Sequence, residues 1–316
     1  MLRYILKRLF SMLITLLIVI TLVFFLVRMV PGDPLASMAR NLPDQVKANF
    51  YAKYGLDKPL FTQYLLYMKG LLHGDFGESL VYIGRPIKTV ISDAIPPSLR
   101  INVQALIFGV TTGITLGTIA AYKRNKWPDH VVMFIAILGV SIPSFVLATG
   151  LQYFLSVKFR LLPTVGWTSE FGMKQLKFSI MPTIALSFGI IATYARYMRA
   201  SVLDVLQQDY ILTAKAKGVT GFQLATKHVL RNAILPAITI LGPQIAGVII
   251  GSFVIESIFG IPGFGQVYVS AITNRDFTQI LGQTVIINAL YIFSLLVVDI
   301  VYGMVDPRIK VFTNKR

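Results

Sequence analysis

The chain has 316 residues, of which 55% are hydrophobic and 14% charged, with a mean hydropathy of +0.68 and a formal charge of +16. Soluble domains carry about a quarter charged residues. The apolar residues here fall in long blocks, so composition places the chain in the membrane class. With no cysteine, disulfides, thiolate metal sites and cysteine nucleophiles are excluded. The histidines, His73, His130 and His228, are too far apart in sequence for metal-ligand spacing. The basic excess is not gathered on one soluble module, which argues against nucleic acid as a partner. It suits the cytoplasmic flanks of membrane helices in contact with lipid.

A helix needs about 20 mostly apolar residues to cross the hydrocarbon. The first such stretch is Leu9–Val27, preceded by Arg3, Lys7 and Arg8. A Ser37-Met38-Ala39 pattern follows, but the apolar run is too long for a signal-peptide core and the pattern lies well beyond it, so a retained span is expected. Residues 31–97 are too polar for lipid. Asp44–Tyr54 reads as a helix behind Pro43 and stopped by Gly55, and Phe61–Leu72 as an amphipathic helix with Tyr64, Leu65, Met68 and Leu72 on one face. Gly74, Gly77, Gly84, Pro86, Pro96 and Pro97 then punctuate the chain. This region is expected to form an extracytoplasmic lobe that either receives a partner or caps the bundle.

The second span is Ile101–Tyr122, with Gly109, Gly113 and Gly117 at four-residue intervals, a spacing that lines one face and admits a neighbouring backbone. Val131–Ser156, with Pro143 inside, is the third span and Ile180–Tyr197 the fourth. Ile234–Ile258, with Pro236 and Pro243, is the fifth, and Ile280–Met304 the sixth. Prolines within spans fit helices that bend around a path. The fold class is therefore an all-α polytopic membrane protein with six transmembrane helices. The segments 1–8, 123–130, 198–233 and 305–316 hold 15 basic residues in 64 positions, against 14 in the 117 positions of the opposite segments. The positive-inside rule then puts both termini in the cytoplasm. Glu256 and Asp299 are intramembrane acids near opposite ends of their spans, where packing or snorkelling explains them better than catalysis.

Between the fourth and fifth spans lies a basic, glycine-broken segment, TAKAKGVTGFQLATKHVLRNAILP, from Thr213 to Pro236. Ala200–Lys217 reads as helix, ended by Gly218, with Lys215 and Lys217 complementing the dipole in the last turn. A second helix is expected from Gly221 or Phe222 to Arg231, with Phe222, Ala225, Thr226 and Val229 on one face and Gln223, Lys227 and Arg231 on another. A face with so many small residues suits a protein groove better than a lipid surface.

These residues resemble the cytoplasmic coupling loop of permease subunits in bacterial ATP-binding-cassette importers. The general loop pattern is E-A-A-x-x-x-G followed by I-x-L-P; Gly218 and Ala214 match it, whereas Leu212 and Thr213 stand at the glutamate and first alanine. The peptide and nickel branch carries T-A-K/R-A-K/R-G, then H-x-L-R/K-x-A, then L-P, and Thr213–Gly218, His228–Ala233 and Leu235-Pro236 fit it. The likeness runs along nearly the whole chain. It includes Val30–Pro34, Tyr54–Leu60, Gly74–Gly77, Gly139–Phe145, Glu256–Gly263, Asn274–Asp276 and Asp306–Arg308, and it is greatest to the first permease subunit of oligopeptide importers.

The resemblance implies a type I importer permease fold. An N-terminal span and lobe would occupy 1–97, a five-span permease core 98–306 and a cytoplasmic tail 307–316. It implies that Tyr210, Thr213, Ala214, Lys215, Ala216, Lys217, Gly218, Val219, Phe222, Lys227, His228 and Arg231 belong to an ATPase-coupling loop at about 199–233. The implied partners are a second permease subunit, two ATP-binding subunits that hold ATP and Mg, and an extracytoplasmic peptide-binding protein. No phosphate-binding G-x-x-x-x-G-K-S/T occurs, so this chain has no P-loop of its own and no cofactor is expected in it. Polar residues within spans, Gln152, Ser187, Gln244, Gln283 and Asn288, are pathway candidates, although interhelical hydrogen bonds also explain such residues. Dipeptide and nickel permeases remain alternatives within the branch. An intramembrane enzyme would need a paired base that the spans lack, and a scaffold would not need proline-broken helices.

Overall fold

The computed structural model describes residues 2–29, 44–53, 55–82, 84–170, 172–248 and 251–305. The Val30–Pro34 turn, the Ser37–Ala39 pattern, Tyr54, Asp306–Arg308, the tail 307–316 and the Asp299 side chain lie outside the described residues. The elements are α1 (Leu2–Met29), α2 (Asp44–Lys53), α3 (Leu60–Leu72), α4 (Ile87–Tyr122), α5 (Trp127–Ser141), α6 (Ser144–Leu151), α7 (Met173–Leu206), α8 (Asp209–Ala216), α9 (Gly221–Gln223), α10 (Arg231–Ala233), α11 (Leu235–Val248), α12 (Phe253–Phe259), α13 (Phe264–Thr273) and α14 (Phe277–Val305). Wide-turn π-helices, Gln152–Lys158 and Leu224–Leu230, continue α6 and α9. Among the described residues the only β pairing is a single bridge between Glu78 and Pro86.

Four helices, α1, α4, α7 and α14, are long and apolar enough to cross a membrane, and six spans result if the bent pairs α5–α6 and α12–α13 each count as one. The helical membrane fold is as the sequence implied, but its spans differ in detail. Val131–Ser156 is not one straight rod: the chain turns by 105° between α5 and the helix from Ser144 to Lys158. Pro143 stands at that turn as the residue before α6, where its missing N–H costs nothing. The fifth expected span is also interrupted. Helix α11 ends at Val248, Gly251 has φ +77°, and α12 begins only at Phe253. Pro96 and Pro97 do not end an element; they lie inside α4, so the expected boundary at 97/98 falls within a helix. Spanning helices accommodate proline where neighbours satisfy the freed carbonyls.

The chain forms two compact units, 1–96 with 262–316, and 97–261. In the first, α1 packs along α14, and Phe264, Ile87, Ile91 and Ala94 form a buried cluster. Asp276, 1% exposed, caps α14 by accepting the Gln279 N–H at 3.1 Å; it also accepts the Leu80 N–H at 3.1 Å and the Ser79 hydroxyl. Helix α3 lays Tyr64 and Tyr67 on Phe24 of α1. The Tyr64 side of α3 thus packs inward, whereas Leu65 and Leu72, expected on the same face, stay exposed.

In the second unit the glycine stripe of α4 lies against α7. A Cβ at Gly113 would come within 2.6 Å of the Tyr194 Cβ, and one at Gly117 within 2.9 Å of the Met198 Cβ. Gly139 of α5 meets Ala192 in the same way, at 2.7 Å. Glu256 is 2% exposed and accepts the Ser98 hydroxyl at 2.6 Å. A Cβ at Gly251 would lie 2.5 Å from its Oε1, so the break between α11 and α12 is where this carboxylate finds room.

Candidate functional site

The segment 199–233 is built as an anchored layer with a free edge. Tyr194, Met198 and Val202 of α7 meet Ile211 and Ala214 of α8, then Leu224, Val229 and Ala233 beyond the glycine turn, in one buried cluster. The Ser201 hydroxyl donates to the Ala233 carbonyl at 2.8 Å and closes the segment onto α7. Helix α7 stops at Leu206, and α8 starts afresh at Asp209 after Gln207 and Gln208. The continuous Ala200–Lys217 helix expected from the good helix formers is therefore two helices, because Ile211 and Ala214 must turn back onto the cluster.

The glycine turn follows from backbone conformation. Val219 N–H donates to the Ala214 carbonyl at 3.1 Å, and Gly218 N–H to the Lys215 carbonyl at 2.9 Å. Gly218 has φ +82° and Gly221 φ +57°. Nothing in this chain lies within 4 Å of a Cβ built at Gly218. Glycine there serves a left-handed turn, in space that is open.

Of the residues singled out in sequence, Ala214 is buried and Val219 packs on the cluster from its edge. Tyr210, Thr213, Lys215, Ala216, Lys217, Gly218, Phe222, Lys227 and Arg231 are exposed, and His228 is half-buried. Phe222 stands out at 84% exposed, with Tyr210 and Leu212 also bare. The expected face of Phe222, Ala225, Thr226 and Val229 divides: Val229 is fully buried while Phe222 projects. The π-turn of Leu224–Leu230 shifts the spacing from that of an α-helix.

Sequence reasoning did not single out the ion pair behind this segment. Asp129, at the start of α5 and 2% exposed, receives Arg199 Nε at 2.5 Å and Nη2 at 2.7 Å. It also accepts the Asn125 N–H at 3.0 Å, where Asn125 has φ +60°. A bidentate pair of this kind fixes both direction and distance. It ties α5 to α7 at the first residue of the segment, about two turns before α7 ends at Leu206.

Four of the five polar pathway candidates are tied into local hydrogen bonds. Gln152 donates to the carbonyls of Thr164 and Ile258, at 2.9 and 3.2 Å. Ser187 and Asn288 each bond a carbonyl of their own helix. Gln283, fully buried, donates to the Phe264 carbonyl at 3.3 Å and accepts from Gln279. Gln244 differs. Its side-chain oxygen is buried without a hydrogen-bond partner, and it lines a cavity of about 180 Å³ with Asn102, Ala105, Leu186 and Ile190.

Long apolar helices, two sharply bent pairs and an anchored loop with a bare edge define a polytopic membrane protein. The chain belongs to the family described as binding-protein-dependent transport system inner membrane component, whose profile matches residues 113–311, and the N-terminal profile of such components matches residues 1–86. It is 42% identical over 310 residues to the dipeptide transport system permease protein DppB of Bacillus subtilis (strain 168), covering 98% of each chain. It is 42% identical to the oligopeptide transport system permease protein OppB of Haemophilus influenzae, over 98% of this chain and all of the relative. With the Escherichia coli (strain K12) OppB protein the identity is 41%, over 98% of this chain and all of the relative. The chain is thus a non-catalytic permease subunit of an ATP-binding-cassette importer.

Proposed function

We propose that this subunit forms half of a pathway carrying oligopeptides into the cytoplasm and that ATP hydrolysis in partner subunits reaches it through the segment 199–233. The observation that carries the coupling role is the bare edge of that segment. Phe222, Tyr210 and Leu212 project from a layer whose other side is locked onto α7. A rigidly backed aromatic knob flanked by exposed Lys215, Lys217, Lys227 and Arg231 suits a groove on a partner with acidic residues at its rim. Two ATPases would hold ATP and Mg, a second related permease would complete the path, and an extracytoplasmic binding protein would deliver the peptide. The names of the relatives favour peptides, and the Bacillus subtilis relative favours dipeptides as the second reading. Both termini are cytoplasmic in this arrangement, in keeping with the basic residues of their flanks. Gln244, with its unpaired oxygen at a cavity, is the pathway candidate to test first.

The test is peptide-stimulated ATP turnover by the assembled importer. Gly218→Ala forces a Cβ into a left-handed turn, at a cost of about 1–2 kcal/mol, and turnover is expected to fall several-fold while assembly persists. Phe222→Ala is expected to weaken co-purification of the ATPases. Unchanged turnover in both variants would rule out this segment as the coupling element.

A further inference from the structure

In the first unit the last turn of α1 and one side of α3 line an open cavity of about 310 Å³. Its wall includes Arg28, Lys58, Gln63, Tyr67, Asp75 and Glu78. Two donors there are buried without a hydrogen-bond partner, the Arg28 Nε and the Tyr67 hydroxyl. Both groups are held in place. Arg28 donates through Nη1 to Gln63 Oε1, and its guanidinium lies 5.3 Å from the Phe24 ring centroid. Tyr67 stacks on the same ring at 5.6 Å. Gln63 in turn donates to the Lys58 carbonyl at 2.8 Å. Burial pushes the Tyr67 phenol well above its ordinary pKa, so it remains a donor.

Buried donors without partners are rare in native proteins and ask for an acceptor. Beside a guanidinium and near an ammonium, the favoured acceptor is an anion with several oxygens. Asp75 and Glu78 border the same space with the opposite sign, so a simple anion would meet repulsion as well as attraction. A ligand carrying both charges answers both sets of groups. The surroundings indicate its source. Arg28 ends a helix long and apolar enough to span a membrane. Helix α3, which has no buried residue, exposes Leu60, Phe61, Leu65, Leu66 and Leu72. Leu22, Leu26 and Met29 of α1 are exposed as well. A polar cavity between a spanning helix end and an amphipathic helix, both of which carry bare apolar residues, belongs at the headgroup level of a bilayer.

We propose that this cavity is a headgroup site for a zwitterionic phosphoethanolamine lipid. The phosphate is held by Arg28, Lys58 and the Tyr67 hydroxyl, and the primary ammonium by Asp75. The acyl chains run out over the exposed leucines of α1 and α3.

The test is native mass spectrometry of the detergent-purified importer, offered dioleoyl phosphatidylethanolamine, phosphatidylglycerol, phosphatidylcholine and a tripeptide at equal concentration. The expected result is one ethanolamine lipid retained per copy of this chain. Choline, whose quaternary ammonium cannot donate a hydrogen bond, is expected to be retained less. Arg28→Gln is expected to lower occupancy about tenfold and Tyr67→Phe about threefold, as loss of a charge-assisted and a neutral hydrogen bond would. Tyr67→Phe keeps the ring stacking, so it reads the hydroxyl even if Arg28→Gln fails to assemble. Equal retention of phosphatidylglycerol or phosphatidylcholine would overturn the zwitterion assignment. Tripeptide in place of lipid, no retained lipid, or occupancy unchanged in Tyr67→Phe would overturn the site.

Discussion

Asp129 shows how much a single side chain can fix. It is buried at the start of α5 and answers three donors, two from Arg199 and the Asn125 N–H. Asn125 sits in the left-handed region, which asparagine tolerates better than most residues. The turn, the helix start and the long helix that feeds the segment 199–233 therefore meet at one carboxylate. Asp129→Asn keeps the shape but removes the charge and one of the acceptors. Leaving a mostly buried guanidinium short of its partner is expected to cost about 1–3 kcal/mol. A lower thermal midpoint in detergent, with Arg199→Lys only partly better than Arg199→Ala, would be the signature. An unchanged midpoint in Asp129→Asn would remove the pair from the account of stability. Nothing local in the sequence announces this contact, since 70 positions separate the partners.

At the scale of elements, α4 and α7 illustrate what periodicity can and cannot tell. Gly109, Gly113 and Gly117 are spaced so that a helix places them on one face, and that face meets Ile190, Tyr194 and Met198. Gly113→Leu should separate the two helices, since a single Cβ already falls 2.6 Å from the Tyr194 Cβ. Overpacking of this kind costs about 1–3 kcal/mol, and a reduced yield of monodisperse protein together with a lower thermal midpoint is the expected outcome. A variant as stable as the parent would mean that the helices do not pack through this stripe. The local rules were less informative where tertiary contacts override them. Pro96 and Pro97 read as a stop yet lie inside α4. Hydropathy runs on across Gly251 and Ser252, so the break before α12 is invisible to a window average. The α7–α8 break has the same cause in reverse: good helix formers line Gln207 and Gln208, but the buried cluster needs a turn there. What the sequence made legible was the helical membrane class and the glycine-marked segment. What it hid was decided by contacts between residues far apart in the chain.

At the scale of the whole molecule, lipid and charge set the requirements. Bare apolar side chains occur along α1, α5 and α14 as well as on α3, more apolar surface than a water-soluble chain leaves uncovered. The formal charge of +16 is spread over several connecting segments and not held in one block, which makes orientation a property of the entire chain. A fluorescent protein fused after Arg316 is expected to fold and fluoresce, and alkaline phosphatase at the same place to be inactive, as for a terminus that stays in the cytoplasm. The opposite pair of results would invert the proposed arrangement and place the segment 199–233 away from ATP.

The break between α11 and α12 also constrains how this sequence can diverge. The Glu256 carboxylate occupies the volume that any side chain at 251 would need, 2.5 Å from an added Cβ, and Ser98 holds it there. Positions 251 and 256 are thus expected to vary together. A related chain can gain a side chain at the first only with a shorter residue at the second, and paired substitution at these two positions across aligned relatives is the trace this geometry would leave.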